Sequence, residues 1–138
     1  MKVLLKYAVL ASVGGGIYYL IEVLWRGHSH WTMAVLGGLC FLVVGIINEV
    51  LDWDTPLWQQ AIYGAVIITA LELEAGIVLN LFLGLEIWDY SNMPFNFMGQ
   101  ICLPYFALWI PLSVAGIVLD DYLRYWLFGE EKPQYKLW

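Results

Sequence analysis

Four long apolar runs alternate with short polar breaks along the chain, over 3–25, 31–51, 57–85 and 101–128. A helix needs about 20 mostly apolar residues to cross the hydrocarbon core of a bilayer, and each run meets that length. The pattern predicts an all-α integral membrane protein, a four-transmembrane-helix bundle forming a single transmembrane domain over 1–138. The connections are short at 26–30 and 52–56 and longest at 86–100, and a short cytoplasmic tail is expected at 129–138. The long connection predicts a structured loop between the third and fourth helices. Irregular backbone at membrane depth needs protein or a water cavity around it. The loop is therefore read either as re-entrant or as a packed external lid.

The start, MKVLLKYAVLASVGGG, has the positive residues and small residues of a signal peptide. The apolar run continues through Ile17, Tyr18, Tyr19, Leu20 and Ile21, longer than a signal h-region, so a retained first helix is expected. Tryptophans fall near the ends of the runs, at Trp25, Trp31, Trp53, Trp58, Trp88 and Trp126, where indole rings favour the headgroup layer. Trp109 alone lies well inside one.

Composition strengthens this picture. Hydrophobic residues make up 62% and charged residues 13% of the 138 positions, against about 45–50% and about 25% in soluble domains. Mean hydropathy is +0.72. An ordinary soluble enzyme and a disordered chain are excluded. The net charge of −6 leaves no basic patch for a nucleic-acid partner. Two cysteines, Cys40 and Cys102, form no CxxC pair and no disulfide framework. No cofactor is indicated. Basic residues sort by side: Lys2, Lys6, Arg124, Lys132 and Lys136 share one face of a four-span topology, and Arg26 stands alone on the other. The positive-inside rule then predicts both termini in the cytoplasm. It places the Gly27-His28-Ser29-His30-Trp31 and Trp88-Asp89-Tyr90-Ser91 loops together outside.

Polar residues within the runs carry the functional information, because an ionisable group at membrane depth costs at least ~2.5–3.5 kcal/mol. In the third run Ala61, Ala65, Thr69, Glu72, Gly76, Asn80 and Gly84 form one helical stripe of small and polar residues. Such a stripe admits another helix closely. Glu72 reads either as an ion, proton or substrate site or as a structural hydrogen-bonding group. Glu74 points to roughly the opposite side. Glu22 stands four residues before Arg26 and Asp120 four before Arg124, the spacing of interfacial helix ion pairs. Glycines 14–16, 37, 38 and 45 mark close helix packing, and Pro104 and Pro111 should kink or interrupt the fourth run. Asn48 and Glu49 lie late in the second run, with Glu49 in reach of headgroup water.

His28 and His30 are weak metal candidates, with Asp89 and Cys102 as conceivable co-ligands. In the other reading Ser29 caps the second helix and the imidazoles sit in headgroup water. No metal is expected on balance. Phosphate-loop, GxSxG and HExxH motifs are absent, so no ATPase, hydrolase or metalloprotease activity is expected. Glu130, Glu131 and Lys132 read as a solvated tail.

The segment from Trp88 to Pro104 resembles the signature of the CmpB family, close to WDYSxxPxNxxGxICL. Trp88, Asp89, Tyr90, Ser91, Pro94, Asn96, Gly99 and Cys102 match it, and Trp109 matches a later Trp. Glu72 with Gly76, and Glu22, match further family positions, so the resemblance covers most of the chain. The family consists of small polytopic membrane proteins, mostly bacterial, and its label is that of an ABC-transporter type IV. The resemblance implies a bacterial cytoplasmic membrane location and, if that label holds, a separate ATPase subunit. Within the loop, Asp89 and Ser91 suit a turn, and Asn96 and Gln100 suit backbone groups of a non-helical segment.

Two function classes remain. In the first the chain is a transport or channel component in the lipid bilayer. It works as a homo-oligomer or with another membrane subunit, and Glu72, Asn80, Glu74, Thr69 and Glu22 are the polar-path candidates. In the second it is a non-transporting scaffold, accessory subunit or holin-like protein.

Overall fold

In a computed structural model, which describes residues 2–51 and 55–135, the four apolar runs are helices. They are α1 (Lys2–Arg26), α2 (Trp31–Val50), α3 (Leu57–Gly76) and α4 (Leu103–Phe128). α3 continues as a π-helical turn over Ile77–Phe82. The runs containing Val3–Arg26, Leu57–Phe82 and Leu103–Phe128 are long and apolar enough to cross a membrane, and α2 adds the shorter apolar stretch Trp31–Ile47. Trp53 and Lys136, and the side chains of Lys2, Asn48 and Glu49, lie outside the described residues.

The bundle is built from pairs. α1 packs mainly on α2 and α3 mainly on α4; α2 joins the pairs, and α1 touches α4 only lightly. Glycine decides the first pairing. A Cβ on Gly15 would stand 2.4 Å from the Ala34 carbonyl oxygen, and one on Gly38 would stand 2.7 Å from that of Ala11. Gly16 faces open space, so only part of the triple glycine serves the contact. Gly45 admits the Asp120 side chain of α4 and Gly64 admits Ser113.

Burial is inverted relative to a soluble bundle. Gln60, Glu72, Ser113, Asp120, Asp121 and Arg124 are buried, while large apolar side chains such as Leu24, Val66 and Phe82 face outward. That is the distribution expected when the surroundings are hydrocarbon. Trp25, Trp31, Trp58 and Trp126 are exposed near helix ends, as interfacial indoles should be. Trp88 is not among them: it is buried.

Several boundaries differ from the sequence reading for local reasons. The third helix ends at Phe82, short of Leu85, because Gly84 turns into the left-handed region at φ 68°. Gly84 is thus a helix stop and not a member of the packing stripe. The fourth helix starts at Leu103 and not Ile101. Ile101–Cys102 (β2) pairs antiparallel with Asn96–Phe97 (β1), in the register Asn96 to Cys102 and Phe97 to Ile101. Pro104 sits in the first turn, where its missing N–H costs nothing, and α4 runs uninterrupted past Pro111. Ser29 does not cap α2; His30 does, its Nδ1 accepting from Thr32 N–H at 3.2 Å.

At the end of the bundle where α1 starts and α4 stops, the segment after α4 is tied to the helices rather than freely solvated. Glu130 pairs with Lys6 and lies 3.8 Å from Arg124. Arg124 bonds Asp120 at 2.8 Å, and that pair is buried rather than interfacial. Tyr135 donates to Asp121 at 2.8 Å.

The glycine contacts predict a contrast. Gly38→Ala should destabilise the protein by about 1–3 kcal/mol through overpacking against backbone, whereas Gly16→Ala should be neutral or slightly stabilising. Thermal unfolding of the purified variants in detergent checks this, and equal effects would contradict the close-contact account.

Candidate functional site

The site begins with the connection between α3 and α4. It is tied by its own side chains. The Asp89 carboxylate accepts from Ser91 N–H at 2.9 Å, closing a short turn. That bond and one from the Ser91 side chain hold the Asp89 carboxyl below its ordinary pKa. Asn96 donates to the carbonyls of Met93 (2.9 Å) and Ser91 (3.3 Å) and accepts from Gly99 N–H at 3.1 Å. Gly99 has a φ of 72°, and a Cβ there would stand 3.0 Å from the Asp89 carboxylate. Tyr90 N–H bonds Gly99 C=O at 2.7 Å, joining the two halves. Pro94 is exposed at the outer bend, and Cys102 is buried beside the start of α4. Burial raises the Cys102 thiol above its ordinary pKa.

Three anchors fix this unit to the bundle as a lid. Asn80, on the π turn, donates to Gln100 Oε1 at 2.8 Å and accepts from Ile87 N–H at 2.7 Å. Trp88 Nε1 donates to the Gln100 carbonyl at 3.0 Å, and Ile87 and Trp88 pack with Met33. Gly76 leaves room for the Gln100 side chain, which a Cβ would strike at 2.6 Å. Arg26 supplies the third anchor. It pairs with Glu22 at 3.0 Å and reaches the Ile87 carbonyl at 2.9 Å. The 27–30 connection and the lid therefore share one end of the bundle.

The lid delivers Tyr90 inward to Glu72. The Tyr90 hydroxyl donates to Glu72 Oε2 at 2.9 Å, and Trp109 Nε1 donates to Oε1 at 3.4 Å. Burial and the neighbouring carboxylate push the Tyr90 hydroxyl far above the ordinary tyrosine range, so it serves as a donor. Glu72 is 5% exposed, and no Lys, Arg or His pairs with it among the described residues. Tyr105 stacks on Tyr90 with ring centroids 4.8 Å apart and tilts against Trp109 at 6.3 Å. Glu72 lines a cavity of about 170 Å³ among all four helices, with Tyr18, Cys40, Phe41 and Trp109 also in its walls. Tyr18 also donates to Glu22 at 3.0 Å.

The polar candidates thus separate. Glu72 faces the cavity. Glu74 is exposed on another side of α3. Asn80 holds the lid and Glu22 is held by Arg26 and Tyr18. Thr69 is half-buried, and its hydroxyl has no hydrogen-bond partner among the described residues. His28 is exposed, His30 is a helix cap, and neither joins Asp89 and Cys102 in a metal-sized cluster among the described residues. Tyr18, Phe41 and Gln100 were not singled out as site residues in the sequence. Tyr18 carried one usable signal, its i,i+4 spacing to Glu22.

A family model described as "Putative ABC-transporter type IV" matches residues 19–127. The chain is also similar to the "Sulfoquinovosyl glycerol transport system permease protein SmoG" of Agrobacterium fabrum (strain C58 / ATCC 33970). The two are 26% identical over 98 residues, which cover 70% of this chain and 30% of that permease. No solved structure matches the chain.

Asn80→Ala should release both lid bonds, leaving a backbone N–H and a side-chain carbonyl without partners at about 1–3 kcal/mol each. Amide hydrogen exchange should then quicken over 87–100 while the α1–α2 contact keeps its protection. Unchanged protection over 87–100 would contradict the anchoring role.

Proposed function

Because the chain belongs to the CmpB family, described as "Putative ABC-transporter type IV", we propose that it is a membrane-embedded transport component with the Glu72 cavity as its substrate-facing site. The observation that carries this reading is a buried carboxylate with no cationic partner among the described residues, set beside a cavity and contacted by the family's signature loop through Tyr90. A carboxylate at such depth is expensive, and a residue kept there at that cost marks the path of an ion or substrate. The cavity lies beside the seam where α1 and α4 touch only lightly. Four helices wall one protomer only partly, so the active unit is a homo-oligomer or a complex with a separate ATPase or other membrane subunit. It resides in a bacterial cytoplasmic membrane with both termini cytoplasmic. The similarity to a sugar-conjugate permease supports the permease role; the chemistry of the cavity, not that name, bears on the substrate.

A second reading, a non-transporting scaffold, accessory subunit or holin-like protein, draws on the hydrogen bonds that tie Glu72 to Tyr90 and Trp109. One experiment separates the two. The full chain is reconstituted in vesicles, and swelling is followed with a panel of inorganic ions, neutral sugars and organic ammonium salts. The transport reading expects wild type to admit at least one solute class. It expects Glu72→Gln to slow that entry about tenfold or more at unchanged oligomeric state, and Glu74→Gln to leave it intact. Folded wild type that admits none, or a Glu72→Gln variant that conducts like wild type, would overturn it.

A further inference from the structure

The Glu72 cavity has a chemistry that narrows its ligand, and this step rests on the reading of that cavity as the substrate-facing site. We propose that the cavity binds a small quaternary ammonium group, with Glu72 as counter-charge and the Tyr18, Phe41 and Trp109 rings as its walls.

Charge comes first. Glu72 is the one acidic or basic residue of the Asp, Glu, Lys, Arg and His types in the cavity wall among the described residues. Its two contacts come from neutral donors, one of them long at 3.4 Å. A carboxylate offers about four acceptor directions, so acceptor capacity remains. The guanidinium of Arg26 is committed to Glu22 and the Ile87 carbonyl. An anionic ligand would meet only repulsion here, and a cation would supply the missing opposite charge.

The walls select among cations. Ring faces attract positive charge, and desolvated cation–π contacts reach about 2 kcal/mol. The rings are held in place. Tyr18 is fixed through its hydroxyl to Glu22, and Trp109 through its indole N–H to Glu72. Tyr18 and Trp109 stand 6.3 Å apart at 48°. Glycines make room for two of them: a Cβ on Gly37 would strike Tyr18 at 2.6 Å, and one on Gly14 would strike Phe41 at 2.4 Å.

Hydrogen-bonding capacity decides the last step. Apart from Glu72 the lining side chains offer the Ser113 hydroxyl, the Cys40 thiol, the phenol of Tyr18 committed to Glu22 and the indole N–H of Trp109 committed to Glu72, and the other side chains are apolar. A primary ammonium would bring three N–H donors and a sugar several hydroxyls, most of them left without partners at a cost of about 1–3 kcal/mol each. A quaternary ammonium brings none. The volume fits as well: about 170 Å³ here, against about 150 Å³ for an apolar cavity that takes benzene.

The test compares choline with its uncharged isostere 3,3-dimethylbutan-1-ol by titration calorimetry on the purified full chain in detergent. Choline should bind at least about tenfold more tightly than the isostere. Glu72→Gln and Trp109→Leu should each weaken choline by about tenfold or more, while the exposed Glu74→Gln should not. Size-exclusion profiles and helical circular dichroism establish that each variant is folded. Should the Glu72 and Trp109 variants fail to fold, the wild-type preference for choline over the isostere decides alone. Equal binding of the two ligands, no choline binding by folded wild type, or a folded Glu72→Gln variant that binds as wild type would overturn the proposal. The two readings fail separately. Choline binding without solute entry in the vesicle assay would keep this site and overturn transport, whereas solute entry without choline binding would do the reverse.

Discussion

The hydrogen bond from Tyr90 to Glu72 is the contact on which the arrangement of this protein turns. A carboxylate inside an apolar bundle must find donors, and helices alone offer few, because their backbone groups are already paired. The chain solves this by bringing an irregular segment back over the end of the bundle. That segment must then satisfy its own backbone, which explains the density of small polar residues in it. Asp89, Asn96 and Gln100 close the loop on itself, and Asn80 and Trp88 fasten it to the helices. A loop so tied can hold one phenol at a fixed place.

The same constraint shapes the helix pairs. Where two helices must approach closely, glycines stand at the contact, as between α1 and α2. Where they need not, as between α1 and α4, the seam stays loose and a cavity remains. The polar groups at the two ends differ in kind. Around Arg124 they form a buried network that gathers Lys6 and the tail at the terminal end. Around Glu72 they are neutral donors and aromatic faces.

How far the sequence foretold this depends on the range of each interaction. Hydrophobic run length located all four helices, since crossing a bilayer sets a minimum that no other constraint competes with. Helical i,i+4 spacing identified Glu22 with Arg26 and Asp120 with Arg124, although it could not say that the second pair is buried. Separation of Glu72 from Glu74 followed from helix geometry. Contacts between distant positions were out of reach: Tyr90 and Trp109 lie 18 and 37 positions from Glu72, and no local pattern links them. The end of α3 was misplaced because Gly84 reads equally as a packing residue or a stop. His30 displaced Ser29 as the cap because its ring nitrogen reaches Thr32. Trp88 looked interfacial by position, yet its indole is used inside the lid.

The central claim is that the lid and the intramembrane carboxylate act as one unit. A double-mutant cycle between Tyr90→Phe and Glu72→Gln, read by thermal unfolding of the purified protein, tests it directly. Contacting residues couple by about 0.5–3 kcal/mol, so the loss in the double variant should fall short of the sum of the two single losses by an amount in that range. Strict additivity would show that the Tyr90 hydroxyl and Glu72 act independently, and the account would fail.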